Sequence, residues 1–175
     1  MNENREQIAE NRIIILYILN ELALPITNLQ LTDILASRAF MDYFSQQEIF
    51  SELLEFSLIK ELTDETERKF YVITNEGKSA LAALPELIPP PIKQNFDSNK
   101  KLIKEMIKRD WEINATQHID ENDNHFVRLF VRDGDTFLVD MKILAGSKKL
   151  ASEMCVNWRK NTEKVYSELI NNLLK

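Results

Sequence analysis

The chain has 175 residues, of which 44% are hydrophobic and 29% are charged, a balance that excludes an intrinsically disordered protein and fits one ordinary domain or two small ones. No apolar run approaches the roughly 20 residues needed to span a bilayer, and the polar first residues, MNENREQIAEN, are unlike a secretory signal. The single cysteine, Cys155, cannot form an internal disulfide, which favours the reducing cytoplasm as the expected location.

The net charge of −6 is unevenly divided along the chain. Residues 1–84 contain 7 basic and 14 acidic residues, whereas residues 85–175 contain 15 basic and 14 acidic ones. Proteins that bind nucleic acids usually carry a basic surface that neutralises phosphates. A DNA-binding site in the first half would therefore need a local basic patch within an acidic segment.

Three helical segments are predicted at the start of the chain. Apolar residues at helical spacing indicate a first helix over about 8–24, which ends at Pro25. A second helix begins at Thr27 or Asn28. After a connection over residues 38–44, Ser45 and Glu48 fit a capping box, in which each side chain bonds the other's backbone N–H group at the start of a third helix.

A hairpin is predicted after the third helix. A short strand over 58–62 is followed by a polar turn over 63–68 and by a second strand over 69–74, which is rich in aromatic and β-branched residues. Another helix then runs to about Leu84. Three helices, a hairpin and a further helix are the layout of a winged helix-turn-helix, a fold used mostly to bind DNA.

The sequence VITNEGKSAL, residues 72–81, resembles the passage from strand to helix in MarR-like and PadR-like regulators. The match is carried by Tyr71, Thr74 and Gly77, and Leu58-Ile59 matches the end of the recognition helix in those proteins. Thr74 can cap the following helix, and Gly77 lies where the backbone packs closely. The whole chain also resembles a bacterial family of uncharacterised winged-helix proteins of about this length, described at most as regulators. The resemblance implies a DNA-binding transcriptional regulator.

In such a regulator the third helix, about 46–58, is the recognition helix and the hairpin over about 59–73 is the wing. Amide and hydroxyl groups can contact base edges, and basic side chains of a wing can contact phosphates or the minor groove. The predicted DNA contacts are Gln46, Gln47 and Ser51 in the helix, and Arg68 and Lys69 in the wing.

An alternative follows from the acidic character of the third helix. Its outward face also carries Glu48, Glu52 and Glu55, and carboxylates that face phosphates weaken DNA binding. The face is then a solvated surface, or it docks a basic protein. The alternative function is a winged-helix protein–protein interaction module that does not bind DNA.

The second half of the chain is predicted to form its own domain. The proline-rich residues 85–91 are the expected linker, and residues 92–175 are expected to form an α-β-β-β-α domain. Its first helix covers 95–109, with Leu102, Ile103, Met106 and Ile107 inward and lysines outward. Residues 110–144 alternate as three antiparallel strands, with Asp133-Gly134-Asp135 as a hairpin turn.

A long final helix is expected from a cap at Ser147 to Lys175. An apolar stripe along it packs on the three-stranded sheet or on a second copy in a homodimer. The members of the stripe are Leu150, Met154, Trp158, Val165, Leu169 and Leu173.

No motif in the sequence indicates an enzyme, a cofactor or a metal centre. The three glycines are too few for the dinucleotide-binding and phosphate-binding fingerprints, and the aspartates of 120–135 are better explained as turn residues than as calcium ligands. The sequence therefore predicts an α+β, non-enzymatic protein, with double-stranded DNA as its partner, a homodimeric state and no membrane association. A small-molecule effector is left open.

Overall fold

The computed structural model describes residues 2–37, 40–64 and 68–174, with side chains from Glu6 onward. The elements are α1 (Asn2–Leu22), α2 (Asn28–Ser37), α3 (Tyr43–Glu55), β1 (Ile59–Thr63), β2 (Lys69–Ile73), α4 (Asn75–Ala83), α5 (Pro90–Glu112), β3 (Ile113–Ile119), β4 (His125–Asp133), β5 (Thr136–Leu144) and α6 (Lys148–Leu173). Two compact units divide the chain, Met1–Ile107 and Lys108–Lys175. The expected α+β class and the three-stranded antiparallel sheet of the second half are confirmed.

Helix α1 is the centre of the first unit. Every residue from Ile13 to Leu19 is buried, because the other elements of this unit surround the helix. A helix that is apolar on all sides is stable only when it is enclosed in this way. The first unit is thus built around one hydrophobic segment, IIILYIL. Most of the remaining buried core comes from α2, α3, β1, β2 and α5, and α4 adds partly buried residues.

The segment between α1 and α2 pairs with the hairpin formed by β1 and β2. The backbone N–H of Tyr71 donates to the carbonyl of Ile26 at 2.8 Å, and the N–H of Ile26 donates back to Tyr71 at 3.2 Å. The Tyr71 ring also lies 4.6 Å from the ring of Phe50 on α3, edge to face. The hairpin is therefore fixed to α3 and to the start of α2. Of the predicted connection and turn, residues 38–39 and 65–67 lie outside the described residues.

Helix α3 begins earlier than the sequence predicted. Asp42, not Ser45, is the N-cap: its carboxylate accepts the backbone N–H of Ser45 at 3.0 Å and the Ser45 hydroxyl at 2.6 Å. These hydrogen bonds hold the pKa of Asp42 below its ordinary value, and the bond from the Ser45 hydroxyl has the largest effect. A carboxylate suits the positive end of a helix, so the start lies one turn before the predicted capping box.

The predicted junction between β2 and α4 is confirmed. The Thr74 hydroxyl accepts the N–H of Gly77 at 3.0 Å and caps α4, and it donates to the carbonyl oxygens of Ser57 and Leu58. Gly77 passes so close to Leu58 that an added Cβ would lie 2.1 Å from the Leu58 carbonyl oxygen. Only glycine fits this crossing without a shift of the backbone.

The proline-rich segment is helical rather than an extended linker. Pro85–Leu87 form a 3₁₀ helix and α5 begins at Pro90, where a missing N–H group costs nothing because the first turn leaves it unbonded. Up to Ile107, α5 belongs to the first unit and packs on α1, where the Tyr17 hydroxyl donates to Asp97 at 2.7 Å. Of the predicted inner face, Ile103 and Ile107 are buried, whereas Leu102 and Met106 are exposed.

The second unit is an antiparallel sheet in the order β3-β4-β5, covered on one face by α6. The Trp158 indole N–H donates to the carbonyl of Phe130 at 3.3 Å, which ties the helix to the central strand. The predicted cap at Ser147 and the turn at Gly134, with φ of 56°, are confirmed. The predicted stripe is correct at Met154 and Trp158, while the other helix residues in the core are Ala151 and Cys155.

Helix α6 is interrupted once. Asn161 has φ of −122° and ψ of 18°, outside the helical region, and the hydroxyl of Thr162 donates to the carbonyl of Trp158 just before it. The helix residues of the sheet core all precede this break. Within the described residues, no helix is both long enough and apolar enough to cross a membrane.

Candidate functional site

The exposed side of α3 is the surface on which sequence and structure converge. Residues at steps of three and four positions form a ridge along it, while Ile49, Phe50 and Leu53 face the core. We call this surface the α3 ridge, and its members are Phe44, Gln47, Glu48, Ser51 and Glu55.

Gln46, one of the predicted base contacts, does not belong to the ridge. Its side chain is 1% exposed, and its amide nitrogen donates to Asn28 Oδ1 at 3.1 Å and to Thr32 Oγ1 at 2.9 Å. Gln46 precedes Ile49 by three positions, so it shares the inward face of the helix. The predicted base contact at Gln46 is therefore wrong, because its side chain is buried and donates hydrogen bonds to Asn28 and Thr32 of α2 instead of facing solvent.

Gln47 lies on the ridge and is held by Asn28. The Asn28 amide donates to Gln47 Oε1 at 3.0 Å, and the Gln47 amide donates to Asn28 Oδ1 at 3.3 Å. Each amide keeps a second N–H group, and Gln47 Oε1 keeps a second lone pair, whereas Asn28 Oδ1 already accepts from both Gln46 and Gln47. The pair therefore joins the start of α2 and the start of α3 into one polar surface.

Ser51 is exposed one turn further along the ridge. Its hydroxyl donates to the carbonyl oxygen of Gln47 at 2.9 Å, as serines inside helices often do. The oxygen lone pairs of that hydroxyl remain able to accept a hydrogen bond. Ser51 can thus present an acceptor, but its proton is already used.

The three carboxylates of α3 are not equivalent. Glu52 accepts two hydrogen bonds from Arg12 of α1, at 3.1 Å to Nε and 2.8 Å to the terminal nitrogen. Glu48 and Glu55 are exposed and form no ion pair with any described residue. One of the three negative charges is therefore neutralised within the fold, and two remain on the ridge.

An exposed aromatic pair, which the sequence did not predict, lies at the start of α3. Tyr43 is 57% exposed and Phe44 is 83% exposed, and their rings meet edge to face at 5.8 Å. Both residues belong to the connection that the sequence predicts before the helix. The signal that could have found them is Asp42, since a cap there makes Tyr43 and Phe44 the first helical residues.

The two predicted wing contacts are both engaged within the hairpin. Lys69 Nζ lies 3.0 Å from Glu61 Oε1, and hydrogen bonds from Lys69 and then Tyr71 hold the pKa of Glu61 below its ordinary value. The Arg68 guanidinium lies 4.9 Å from the centre of the Phe70 ring, and its backbone N–H donates to Asp64 at 3.0 Å. Lys69 remains largely exposed, so a stronger anion could displace its partner.

The described residues contain no group of three His, Cys, Asp or Glu side chains able to hold a metal ion. The Nε2 atom of His118 lies 2.8 Å from the Thr116 hydroxyl, within hydrogen-bonding distance. His118 lies across from Phe126, the residue next to His125, so the two histidine side chains lie on opposite faces of the sheet. The two histidines therefore do not approach each other.

Comparison with curated proteins and with solved structures gives no match. A family model described as "Domain of unknown function (DUF4364)" matches residues 11–173, which is nearly the whole chain. The chain therefore belongs to the DUF4364 family.

Proposed function

We propose that the first unit is a winged helix-turn-helix and that the protein is a DNA-binding transcriptional regulator. The order α1, α2, α3, β1, β2, α4 and the backbone pairing of Ile26 with Tyr71 support this assignment, because they fix a hairpin beside the third helix. In this proposal α3 is the recognition helix and the hairpin is the wing.

The observation that carries the proposal is the joined polar surface at the start of α2 and α3. Asn28 and Gln47 orient each other, and Ser51 follows on the same side of α3. Amide groups at these positions suit adenine in the major groove, where its edge offers one donor and one acceptor. To bind both the donor and the acceptor of one adenine, Gln47 would have to give up its hydrogen bonds to Asn28. The Asn28 amide would then be placed to contact a phosphate.

The charges around α3 and the hairpin determine how DNA binding should depend on salt. Glu52 is neutralised by Arg12, but Glu48 and Glu55 would repel phosphates, and Lys69 must first leave Glu61. Few phosphates are then neutralised, so affinity depends weakly on salt and more on base contacts. We expect a shallow salt dependence for specific sites and little non-specific binding.

The test is selection of fragments from the protein's own genome by the purified chain, at low and near-physiological salt. Enrichment of a few fragments, reduced about tenfold or more in affinity by Gln47→Ala, supports the proposal, since one good bidentate base contact is worth about 1–3 kcal/mol. Lys69→Ala should weaken all fragments alike, and Lys78→Ala on α4 is the matched control that should not. Retention of no fragment at either salt would reject DNA binding.

A second candidate function is favoured by the aromatic pair. An exposed Phe44 and Tyr43 beside Glu48 and Glu55 suit a protein partner with an apolar cleft and a basic rim, since aromatic side chains anchor such interfaces. In that case the fragment selection fails, and an identified partner is lost with Phe44→Ala and with Glu55→Lys. If the protein instead binds DNA, and neither Phe44→Ala nor Glu55→Lys changes that binding, the result would argue against a protein partner at the α3 ridge.

A further inference from the structure

Strand β5 leaves one edge of the second unit's sheet open. It is the last strand in the order β3-β4-β5, and no other described residues pair with its outer edge. Leu138 and Leu144 on it are 51% and 57% exposed. An open edge of this kind is a template for pairing with another strand, and proteins usually cover or blunt it.

The regular part of β5 is long enough to pair. The register between β4 and β5 shifts at Val131/Arg132, which leaves Leu138 as the extra residue of a bulge at the start of β5. From Val139 to Leu144 the pairing with β4 is uninterrupted. Six residues in one regular stretch match the usual length of a strand.

We propose that this edge pairs with the β5 edge of a second copy, antiparallel about a twofold axis at Met141. In that register Asp140 of each copy lies opposite Lys142 of the other, and Val139 lies opposite Ile143. Leu138 and Leu144 come together at the two ends of the paired stretch. The sequence LVDMKIL, residues 138–144, is thus complementary to itself when one copy runs against the other.

The side chains of the single chain are already arranged for this contact. Arg128 donates to both oxygens of Asp140, at 2.8 and 2.6 Å, and this pairing fixes the carboxylate on the open face of the sheet. A carboxylate has further lone pairs, so it can accept the partner's Lys142 as well. Lys142 is exposed, with its ammonium 4.6 Å from the centre of the Phe126 ring. The dimer would therefore extend a row of alternating charges across the new boundary.

A homodimer through this edge does not depend on DNA binding. It places two first units on one assembly, which suits a regulator that contacts two half-sites, but it would equally serve a protein-binding module. The surface also differs from α6, whose Ala151, Cys155 and Trp158 are already used to cover the sheet.

The decisive variant is Lys142→Glu, measured by analytical ultracentrifugation of the full chain over a concentration series. The twofold axis makes the substitution act twice, so that two attractive pairs become two repulsive ones. We expect the dimer dissociation constant to rise by about tenfold to a hundredfold at low salt, and added salt to reduce that rise. Lys149→Glu, an exposed charge reversal on α6, is the matched control and should leave the dimer unchanged.

The double variant Asp140→Lys with Lys142→Glu tests the register itself. It restores opposite charges between copies, and the carboxylate introduced at position 142 then lies directly across from Arg128 within each chain, so the internal ion pair is replaced. Recovery of the wild-type dissociation constant supports the proposal. A wild-type chain that stays monomeric at about 100 µM, a Lys142→Glu dimer as tight as wild type, equal effects of Lys142→Glu and Lys149→Glu, or a folded double variant that stays monomeric would each overturn it.

Discussion

Substitution of Gly77 by alanine is the sharpest test of how the hairpin is joined to α4. The new Cβ would lie 2.1 Å from the Leu58 carbonyl oxygen and 2.8 Å from Ile73 Cγ1. Contacts shorter than 3.0 Å are essentially never seen, so the backbones must separate by about 0.9 Å. Overpacking costs about 1–3 kcal/mol even where flexible side chains can yield, and here the obstacle is a backbone carbonyl. Alanine regains only about 1 kcal/mol of helix propensity, so we expect a net loss of about 2 kcal/mol or more.

Thermal unfolding followed by circular dichroism measures this loss. A change of 1 kcal/mol shifts the midpoint by about 4–8 °C in a unit of this size, so Gly77→Ala should lower the transition of the first unit by about 10 °C. Ser79→Ala, exposed in the same helix, is the control and should change the midpoint little. A Gly77→Ala protein as stable as wild type would refute the close crossing of α4 over Leu58.

Three further predictions follow from the described contacts. Thr74→Val removes the α4 cap and the hydroxyl proton that the Ser57 and Leu58 carbonyl oxygens share. It should destabilise the first unit by about 1–2 kcal/mol in urea unfolding, and an unchanged midpoint would contradict the cap. Hydrogen bonds from Arg128 lower the pKa of Asp140 below its ordinary value. The contribution of the ionised carboxylate to stability is therefore present above that ordinary pKa and is lost as the pH falls through the folded-state pKa. The Asp140→Asn protein should therefore lose less stability than the wild-type protein when the pH falls from about 5 to about 2, as measured by thermal unfolding. Cys155 is buried, and this burial raises the pKa of its thiol, so a thiol reagent should modify the native protein much more slowly than the unfolded one. Rapid labelling of the native protein would contradict that burial.

The parts of the fold that the sequence predicts well are those fixed by local chemistry. Thr74, Gly77, Gly134 and Ser147 each stand where a cap or a turn allows few alternatives, and the structure has them in those roles. The strands of the second unit follow from their alternation in the same way. The start of α5 could not be predicted so well, because prolines are compatible with both an extended segment and the first turn of a helix.

The candidate site was harder to predict because it depends on helix phase and on partners far away in the sequence. Gln46 and Gln47 are adjacent, yet one is buried against α2 and the other lies on the ridge. Because Asp42 and not Ser45 caps α3, Phe44 lies within the helix and not in the connection before it. The pairing of Glu52 with Arg12, 40 positions earlier, follows from packing of α1 on α3 and has no signal in either local segment.

The break at Asn161 has a practical consequence for work with this protein. Since the part of α6 that covers the sheet ends before the break, the turns from Glu163 to Leu173 can be shortened, lengthened or fused to another sequence without opening the core of the second unit. A fluorophore or an affinity tag placed after this point should leave the sheet intact, whereas the same addition before Trp158 would not.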